Sequence, residues 1–415
     1  MKSRKIISVG TSLVLAATLA ACGGGGEGGS EGSSDEPVTL TFAAVTFTET
    51  GRGEALTEFV EDFNDSQERI TIEPVGIPFA SFAQTVLTQT AGGEGPDLIR
   101  WDQADFVQAA SEGLLLDLDE LIDFSQYSLI EAADSYTHIN DTRYGFIFDV
   151  SSYALIYNTA LVSEPPATYE EFLALAEELT QGETYGMAFR QTKEQEPGMM
   201  QDLFNYVYGF GGAFSDGENL TLNAPEVVEG LEAYQALYDA EVIPRGADAA
   251  TYRRMMAEGL VAMTIDNGGV PAILRGANPD LELAAAPVPF PAESQGGIFV
   301  PLTINKNTKD HEAAAEFMEW LLEDENQVRL QEIMGGSTVA TETTRSAEAM
   351  ADAPYLEVFD ALTPTTQPQV IAGFEAQTPQ LRTIIVDAVL SALHGETSMQ
   401  EAMDNAQEQG LELVG

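Results

Sequence analysis

Apolar and polar positions alternate along the chain with two different periods. Residues 38–45 and 70–75 alternate with the two-residue period of half-buried strands. The apolar residues between them recur instead at helical spacing, at Leu56, Phe59, Val60 and Phe63. A second helix is predicted at about residues 79–90, and short strands at residues 96–101 and 144–148. This order of strand and helix predicts a layer of mostly parallel sheet with helices on both faces.

The same alternation starts again after residue 152 and predicts a second lobe. Thr168 and Glu171 have the pattern of a capping box, so a helix is expected to begin there. An amphipathic helix is expected at residues 310–322, and the chain from residue 354 onward is expected to be helical. Further strands are predicted at residues 153–157, 185–189, 261–265, 281–286 and 298–304. The fold class predicted from these patterns is α/β.

The first 22 residues have the order of a secretory signal. Three basic residues precede an apolar run that is too short to span a membrane and that ends in Leu-Ala-Ala-Cys. That ending resembles the bacterial lipobox, in which the cysteine is lipidated and the chain is cut just before it. We therefore expect a signal peptide at residues 1–21, a lipid anchor at Cys22 and a Gly/Ser-rich tether at residues 22–36. The protein would then be held at the outer face of the cytoplasmic membrane.

Composition limits the possible partners. The chain has 67 acidic and 18 basic side chains and a formal charge of −49, yet 44% of its residues are hydrophobic, enough for a folded core. Such a charge disfavours nucleic acid and anionic membranes as partners. No cofactor or metal is expected, because histidine and cysteine are scarce and the acidic cluster at residues 117–123 lacks a calcium-loop glycine. The acids are spread along the chain, which favours solubility in a salty exterior over recognition of a cation.

Four stretches of the chain together have a recognisable order and spacing. The first is residues 95–101 (GPDLIRW) and the second is residues 144–150 (YGFIFDV). The third is residues 262–268 (AMTIDNG), followed by the Gly296-Gly297 pair, and a weaker one is residues 393–397 (LHGET). Their order and spacing cover nearly all of residues 38–410, and together these stretches resemble the extracellular solute-binding proteins of ABC sugar importers, the family that includes the maltose-binding protein.

The resemblance implies a two-lobe periplasmic-binding-protein type II fold, each lobe a mostly parallel sheet flanked by helices and joined to the other by hinges. Lobe 1 would comprise residues 37–149 and 300–345, and lobe 2 residues 150–299 and 346–415. A solute would bind in the cleft between the lobes, which would close about the hinges. Reasoning from the fold class gives the same location, since ligands of α/β sheets bind at the carboxyl ends of strands and at domain interfaces.

A sugar offers hydroxyl groups and apolar ring faces, so its site needs carboxylates, amides and aromatic rings together. Trp101 and Asp102 follow a predicted strand and supply both, although a packed tryptophan and a helix-capping aspartate would have the same sequence. Asp149 lies at the implied hinge, where it would either contact the ligand or hold the crossover. Glu49 and Arg52 follow the first strand, where the family's first binding loop lies.

The resemblance adds candidates from the second lobe. Arg190 and Glu196 follow a strand, and Glu196 with Pro197 resembles an acidic-proline contact of the family, although Gly198 replaces the usual aromatic residue. The family's Gly-Pro-Trp is replaced by Asp266-Asn267-Gly268, so a stacking ring is missing. The remaining lobe 2 candidates for contact with the ligand are Asn267, Gly268, Gly297, Phe299 and Phe374.

The function expected is a non-enzymatic, lipid-anchored receptor that binds a mono- or oligosaccharide as a monomer and delivers it to an ABC permease. One alternative keeps the fold but binds a cationic solute such as a polyamine, which predicts salt-sensitive binding. Another is a lipid-anchored glycoside hydrolase that uses two carboxylates, for instance Asp102 and Asp149.

Overall fold

The computed structural model describes residues 36–139 and 141–415. The predicted signal peptide, the lipid anchor at Cys22 and the tether up to residue 35 lie outside the described residues. Within the described part, no helix is both long and apolar enough to cross a membrane.

The elements follow the predicted order. The strands are β1 Val38–Ala44, β2 Ile70–Gly76, β3 Leu98–Arg100, β4 His138–Ile139, β5 Thr142–Arg143, β6 Gly145–Asn158, β7 Tyr185–Ala188, β8 Val261–Asn267, β9 Leu283–Ala286, β10 Gln295–Ile304 and β11 Thr366–Pro368. The helices are α1 Arg52–Ser66, α2 Phe79–Ala91, α3 Gln103–Ser111, α4 Glu131–Asp134, α5 Tyr169–Leu179, α6 Glu196–Gly209, α7 Pro225–Asp239, α8 Ala249–Ala257, α9 Val270–Ala277, α10 His311–Leu322, α11 Asp324–Met334, α12 Ala347–Asp352, α13 Leu356–Leu362, α14 Thr378–Leu393 and α15 Met399–Val414.

Two long strands join the halves of the sheet, whose order is β2-β1-β3-β10-β6-β8-β7. The first part of β6 pairs antiparallel with β10, and its second part pairs antiparallel with β8 and β9. The outer pairs, β1 with β2 and β3 and β7 with β8, are parallel. The predicted fold class, an α/β fold with two lobes, is confirmed.

The strand β6 is continuous, whereas the sequence patterns predict two strands, at residues 144–148 and 153–157. All fourteen of its residues are buried, including the polar ones in the middle. These polar groups find partners far away in the chain: Ser151 Oγ accepts from the Gly268 N–H at 2.9 Å, and Ser152 Oγ donates to the Phe359 carbonyl at 2.9 Å. Because these partners satisfy the buried polar groups, the strand is not interrupted.

Each half of the sheet has its own core. Lobe 1 packs β1, β2 and β3 against α1 and α10, and lobe 2 packs the second part of β6 and β8 against α6, α7 and α14. The core residues of lobe 2 include a segment from Ile371 to Ala406 near the chain end, so each lobe is assembled from separate parts of the sequence. The short strand β11 lies in the segment expected to be helical; it pairs parallel with the start of β10.

Candidate functional site

A cavity of about 1230 Å³ lies between the lobes. Lobe 1 contributes Arg100 at the carboxyl end of β3 and the first residues of α2 and α3, and lobe 2 contributes Arg190 after β7 and the beginning of α6. The cavity is therefore at the strand ends and helix N-termini, as expected for an α/β fold.

The structure brings eight of the twelve predicted site residues to this cavity: Glu49, Arg52, Trp101, Asp102, Asp149, Arg190, Glu196 and Asn267. Contact of these residues with a ligand stays a prediction.

The other four predicted residues do not line the cavity. Residues Ile298 and Val300 of β10 face it, so Phe299, between them, points to the other side of the sheet and packs on Tyr136 at 4.8 Å. Gly297 also lies in β10, against Thr366 of β11.

Gly268 is buried against another backbone segment. Its N–H donates to Ser151 Oγ, and its carbonyl accepts from the Gly336 N–H at 2.9 Å. A Cβ at Gly268 would lie 2.5 Å from the Gly336 oxygen, so the glycine allows close packing of the two backbone segments. Phe374 packs on the core of lobe 2.

Trp101 supports the cavity wall from behind. Its side chain has 0% exposure, its ring packs edge-on against Phe82 at 6.1 Å, and its indole N–H donates to Thr303 Oγ1 at 3.0 Å. In this conformation the ring offers no exposed face for stacking on a sugar. Its packing agrees with the interpretation of Trp101 as a core residue at the end of the strand.

The charges on the cavity wall are balanced. Seven basic and seven acidic side chains line it, and each of the seven basic groups has a carboxylate within salt-bridge distance. Arg100 donates to Asp149 Oδ1 from Nε at 3.1 Å and from Nη2 at 2.5 Å, which ties this carboxylate of β6 to the carboxyl end of β3. Asp149 therefore has a structural partner whether or not it meets a ligand.

A buried network holds Arg190 in lobe 2. Its Nη1 lies 2.5 Å from Asp202 Oδ1 and its Nη2 3.3 Å from Asp266, which also accepts from Arg253 Nη2 at 2.7 Å. Burial opposes the ionised form of Asp266, but the two guanidinium groups and the Asn267 N–H outweigh it and lower its pKa to about 2. A Cβ at Gly198 would lie 2.5 Å from Arg190 Cδ, so the glycine that replaces the family's aromatic residue leaves room for the arginine.

Arg52 reaches from lobe 1 toward lobe 2. It is 8% exposed, pairs with Glu49 at 3.1 Å, and its Nη2 contacts Met334 Sδ at 3.2 Å. Its Nη1 lies so close to Gly269 that a Cβ there would be 2.2 Å away. Within the described residues, Arg52 Nε has no hydrogen-bond partner, so one donor of this guanidinium is buried unpaired.

One hydrogen bond crosses the cleft directly. Asp102 caps α3 by accepting from the Ala104 N–H at 3.3 Å, and its other oxygen accepts from Gln201 Nε2 of α6 at 3.1 Å. Burial raises the pKa of Asp102. One turn further, burial and the neighbouring Asp102 raise the pKa of Asp105 to about 7.

On the lobe 2 side, Glu196 lies between Lys193 and Arg382 at 2.6 and 3.3 Å. Burial opposes its charge, but these cations and Thr383 lower its pKa.

The sequence analysis missed several wall residues. Phe79 is 39% exposed, whereas the other aromatic rings on the wall, those of Phe82, Trp101 and Phe204, are buried. Phe79 is the first residue of a predicted helix, and nothing in the sequence there indicates that its ring is exposed. Asp105 has the sequence signature of an ordinary first-turn acid. Across residues 36–139 and 141–415, no group of three or more His, Cys, Asp or Glu side chains is arranged to hold a metal ion.

Known binding proteins are similar to this chain in sequence. The maltotriose-binding protein of Pyrococcus abyssi (strain GE5 / Orsay) is 26% identical over 241 residues, 55% of this chain and 51% of that protein. The sn-glycerol-3-phosphate-binding periplasmic protein of Rhizobium meliloti (strain 1021) is 24% identical over 396 residues, 86% of this chain and 90% of that protein. The match to the first of these relatives thus spans about half of its length.

Solved structures share the fold. The ABC transporter solute-binding protein of Thermotoga lettingae TMO, bound with α-D-tagatose, has a TM-score of 0.80 at 22% identity and covers 91% of this chain and 100% of its own. The maltose-bound MalE3 of T. maritima has a TM-score of 0.80 at 19% identity with the same coverage. Residues 58–357 match the profile of the bacterial extracellular solute-binding proteins. The chain therefore belongs to the bacterial extracellular solute-binding protein family.

Proposed function

We propose that this protein captures a carbohydrate in the cavity between its lobes and delivers it to the permease of an ABC importer, without catalysing a reaction. The observation that carries the proposal is a large cavity whose many charged groups are already paired with one another. Such a wall offers fixed donors and acceptors to a neutral, hydroxyl-rich solute and has little net charge to attract an ion. Phe79 supplies one exposed ring for an apolar sugar face.

The size of the cavity favours an oligosaccharide. Its volume of about 1230 Å³ lies above the range of roughly 300–1,000 Å³ usual for small-molecule pockets. Relatives named for maltotriose and for galactooligosaccharides support the same ligand class. A solved neighbour bound with maltose supports it too, and one bound with the monosaccharide tagatose supports a carbohydrate ligand in general.

A binding screen tests the proposal. The protein beginning at residue 37 is mixed with maltotriose, a galactooligosaccharide, glycerol 3-phosphate or spermidine, and thermal unfolding is followed. A ligand at 100 times its dissociation constant should add about 2.7 kcal/mol to the free energy of unfolding. A stabilising effect of spermidine alone would contradict the carbohydrate proposal, and release of reducing sugar from either oligosaccharide would contradict the absence of catalysis.

Glycerol 3-phosphate is a second candidate, because the relative named for it matches this chain over most of its length. The pairing of the basic wall residues argues against it, since a phosphate needs cations that are not already neutralised. The unused donor of Arg52 is the feature that favours it. In the same screen, stabilisation by glycerol 3-phosphate without stabilisation by either sugar would establish this second candidate.

Attachment to the membrane through Cys22 is part of the proposal, with residues 1–21 as the signal peptide and residues 22–36 as the tether. The full chain should incorporate labelled palmitate and sediment with membranes, and Cys22→Ala should abolish both. Palmitate in the Cys22→Ala variant would contradict the anchor.

We also propose that the lobes are divided after residues 149, 299 and 345 and that they close about these points. The protein is proposed to be a monomer, which ultracentrifugation of the soluble form checks.

A further inference from the structure

Asp105 is an exception to the pairing of buried charges around the cavity. Its side chain lines the cavity and the residue is 7% exposed, and no hydrogen bond or ion pair of the described residues reaches its carboxylate. Glu194, the other unpaired acid of the wall, is exposed to solvent. A buried carboxylate without a partner is costly to a folded protein, so its presence in a cavity needs an explanation.

Structural roles do not supply the missing partner. Asp105 is the third residue of α3, where an acid can accept from the N–H of the capping residue, but that bond is absent among the described contacts. The opposite lobe contributes Arg382 of α14, which lies near both Asp105 and Asp102 but donates to Glu196. The other charged groups on segments packed against α3 are His138 of β4, Glu375 before α14 and Asp387 of α14, which pairs with Lys193. Asp105 thus faces the cavity beside a second carboxylate.

We infer that Asp105 is a ligand-binding residue whose carboxylate accepts a hydrogen bond from a donor group of the solute. The donor is a hydroxyl or an ammonium group, because these are the donors that carbohydrates and amino sugars carry. This bond supplies the hydrogen-bond partner that Asp105 lacks within the described residues. It also makes the site selective for a solute that carries a donor at that point. This inference rests on the proposed carbohydrate function.

Ligand binding should then be linked to pH. Burial and Asp102 raise the pKa of Asp105 to about 7 in the ligand-free protein, so it gains a proton as the pH falls through neutrality. A solute that donates to the ionised carboxylate must displace this proton. The wild-type affinity should therefore fall as the pH drops from 8 to 6, by about fivefold if binding lowers the pKa by about one unit. The Asp105→Asn variant should show no such dependence.

The variant test compares Asp105→Asn with Glu401→Gln, which removes the same charge from an exposed side chain at the third position of another helix, α15. Titration calorimetry at pH 8 uses maltotriose, whose donors are hydroxyl groups, and the trimer of glucosamine, whose donors include ammonium groups. Asp105→Asn should weaken binding about tenfold, whereas Glu401→Gln should leave it unchanged. A loss confined to the glucosamine trimer identifies an ammonium donor, and a loss for maltotriose identifies a hydroxyl.

The melting temperature of the ligand-free Asp105→Asn variant distinguishes a binding role of Asp105 from a structural one, because the two roles predict changes of opposite sign. A carboxyl group with a raised pKa lowers stability as the pH rises from about 4 to 7. Asp105→Asn should therefore raise the melting temperature at pH 8 and leave it nearly unchanged at pH 4. A lower melting temperature with unchanged affinity for both probes would overturn the inference. If neither of these probes nor a galactooligosaccharide binds the wild type, the carbohydrate proposal itself fails and the inference falls with it.

Discussion

The cavity wall and the outer surface hold charge in opposite ways. On the wall, seven basic groups face seven acidic ones and every base has a carboxylate partner. The chain as a whole has 18 basic and 67 acidic side chains, so the rest of the molecule is overwhelmingly acidic. The exposed face of α15 illustrates this, with Glu401, Asp404, Glu408 and Glu412 and no basic residue in the helix.

Solvent explains the difference. A charge that is removed from water needs a partner within a few ångströms, whereas an exposed carboxylate is solvated and needs none. The wall residues Arg52, Arg100 and Arg190 are largely removed from water, and each lies beside a carboxylate. The acidity of the surface therefore says little about the ligand. It follows that a change in the wall should affect stability or binding strongly, and that a change on the surface should act weakly and depend on salt.

The largest effect is expected for Arg190→Met. It keeps the apolar stem but leaves Asp202 without its ion pair and removes one of two guanidinium groups from Asp266. Breaking a buried pair in this way should lower the free energy of unfolding by about 3–5 kcal/mol, measured by urea denaturation. Arg245→Met, which breaks the exposed pair with Glu241 outside the cavity wall, is the control and should cost less than about 1 kcal/mol. Equal losses would remove the distinction between wall and surface.

Trp101→Ala should have the next largest effect. The ring is fully buried between the lobe 1 strands and α3, so truncation creates a cavity and should lower the free energy of unfolding by about 3–4 kcal/mol. Urea denaturation of the ligand-free protein measures this. A loss below about 1 kcal/mol, combined with loss of ligand binding, would show instead that the ring turns toward the solute.

Phe79→Ala should affect binding more than stability. Because this ring is partly exposed at the cavity, its removal should change the free energy of unfolding by less than about 1 kcal/mol. Loss of a stacking surface should weaken sugar binding about tenfold, measured by calorimetry. Leu411→Ala, which removes an exposed apolar side chain from α15, is the matched control. Unchanged affinity in Phe79→Ala would contradict the role of the ring.

The fold could be predicted from the sequence where apolar periodicity is strong. The helices α5 and α10 begin within a residue of the predicted positions, because their buried faces and caps are local features. The predicted apolar face of α1 is buried, but the helix begins four residues before its first member, Leu56. The continuous strand β6 could not be predicted, since Asp149 and Ser151 interrupt its apolar pattern and their partners are remote in the chain.

The types of residue in the site could be predicted from the sequence, but the side chains that face the cavity could not. The strand 298–304 was predicted correctly, yet only its register shows that Ile298 and Val300 face the cavity and Phe299 does not. Asp105 shows the same limit. A first-turn aspartate is ordinary in sequence, and its lack of a partner is a property of the assembled lobes.

The smallest effect is expected from screening of the surface acids. Their mutual repulsion should destabilise the folded state at low ionic strength, and salt should relieve it because the Debye length shrinks from about 30 Å at 0.01 M to about 3 Å at 1 M. The melting temperature of the ligand-free protein should therefore rise between low and molar NaCl. The double variant Glu401→Gln and Asp404→Asn removes two exposed charges of α15 and should reduce this rise without affecting sugar binding. A melting temperature that stays flat or falls with salt would mean that the surface acids do not oppose folding. The surface charges would then differ from the wall charges only in how far they are exposed to solvent.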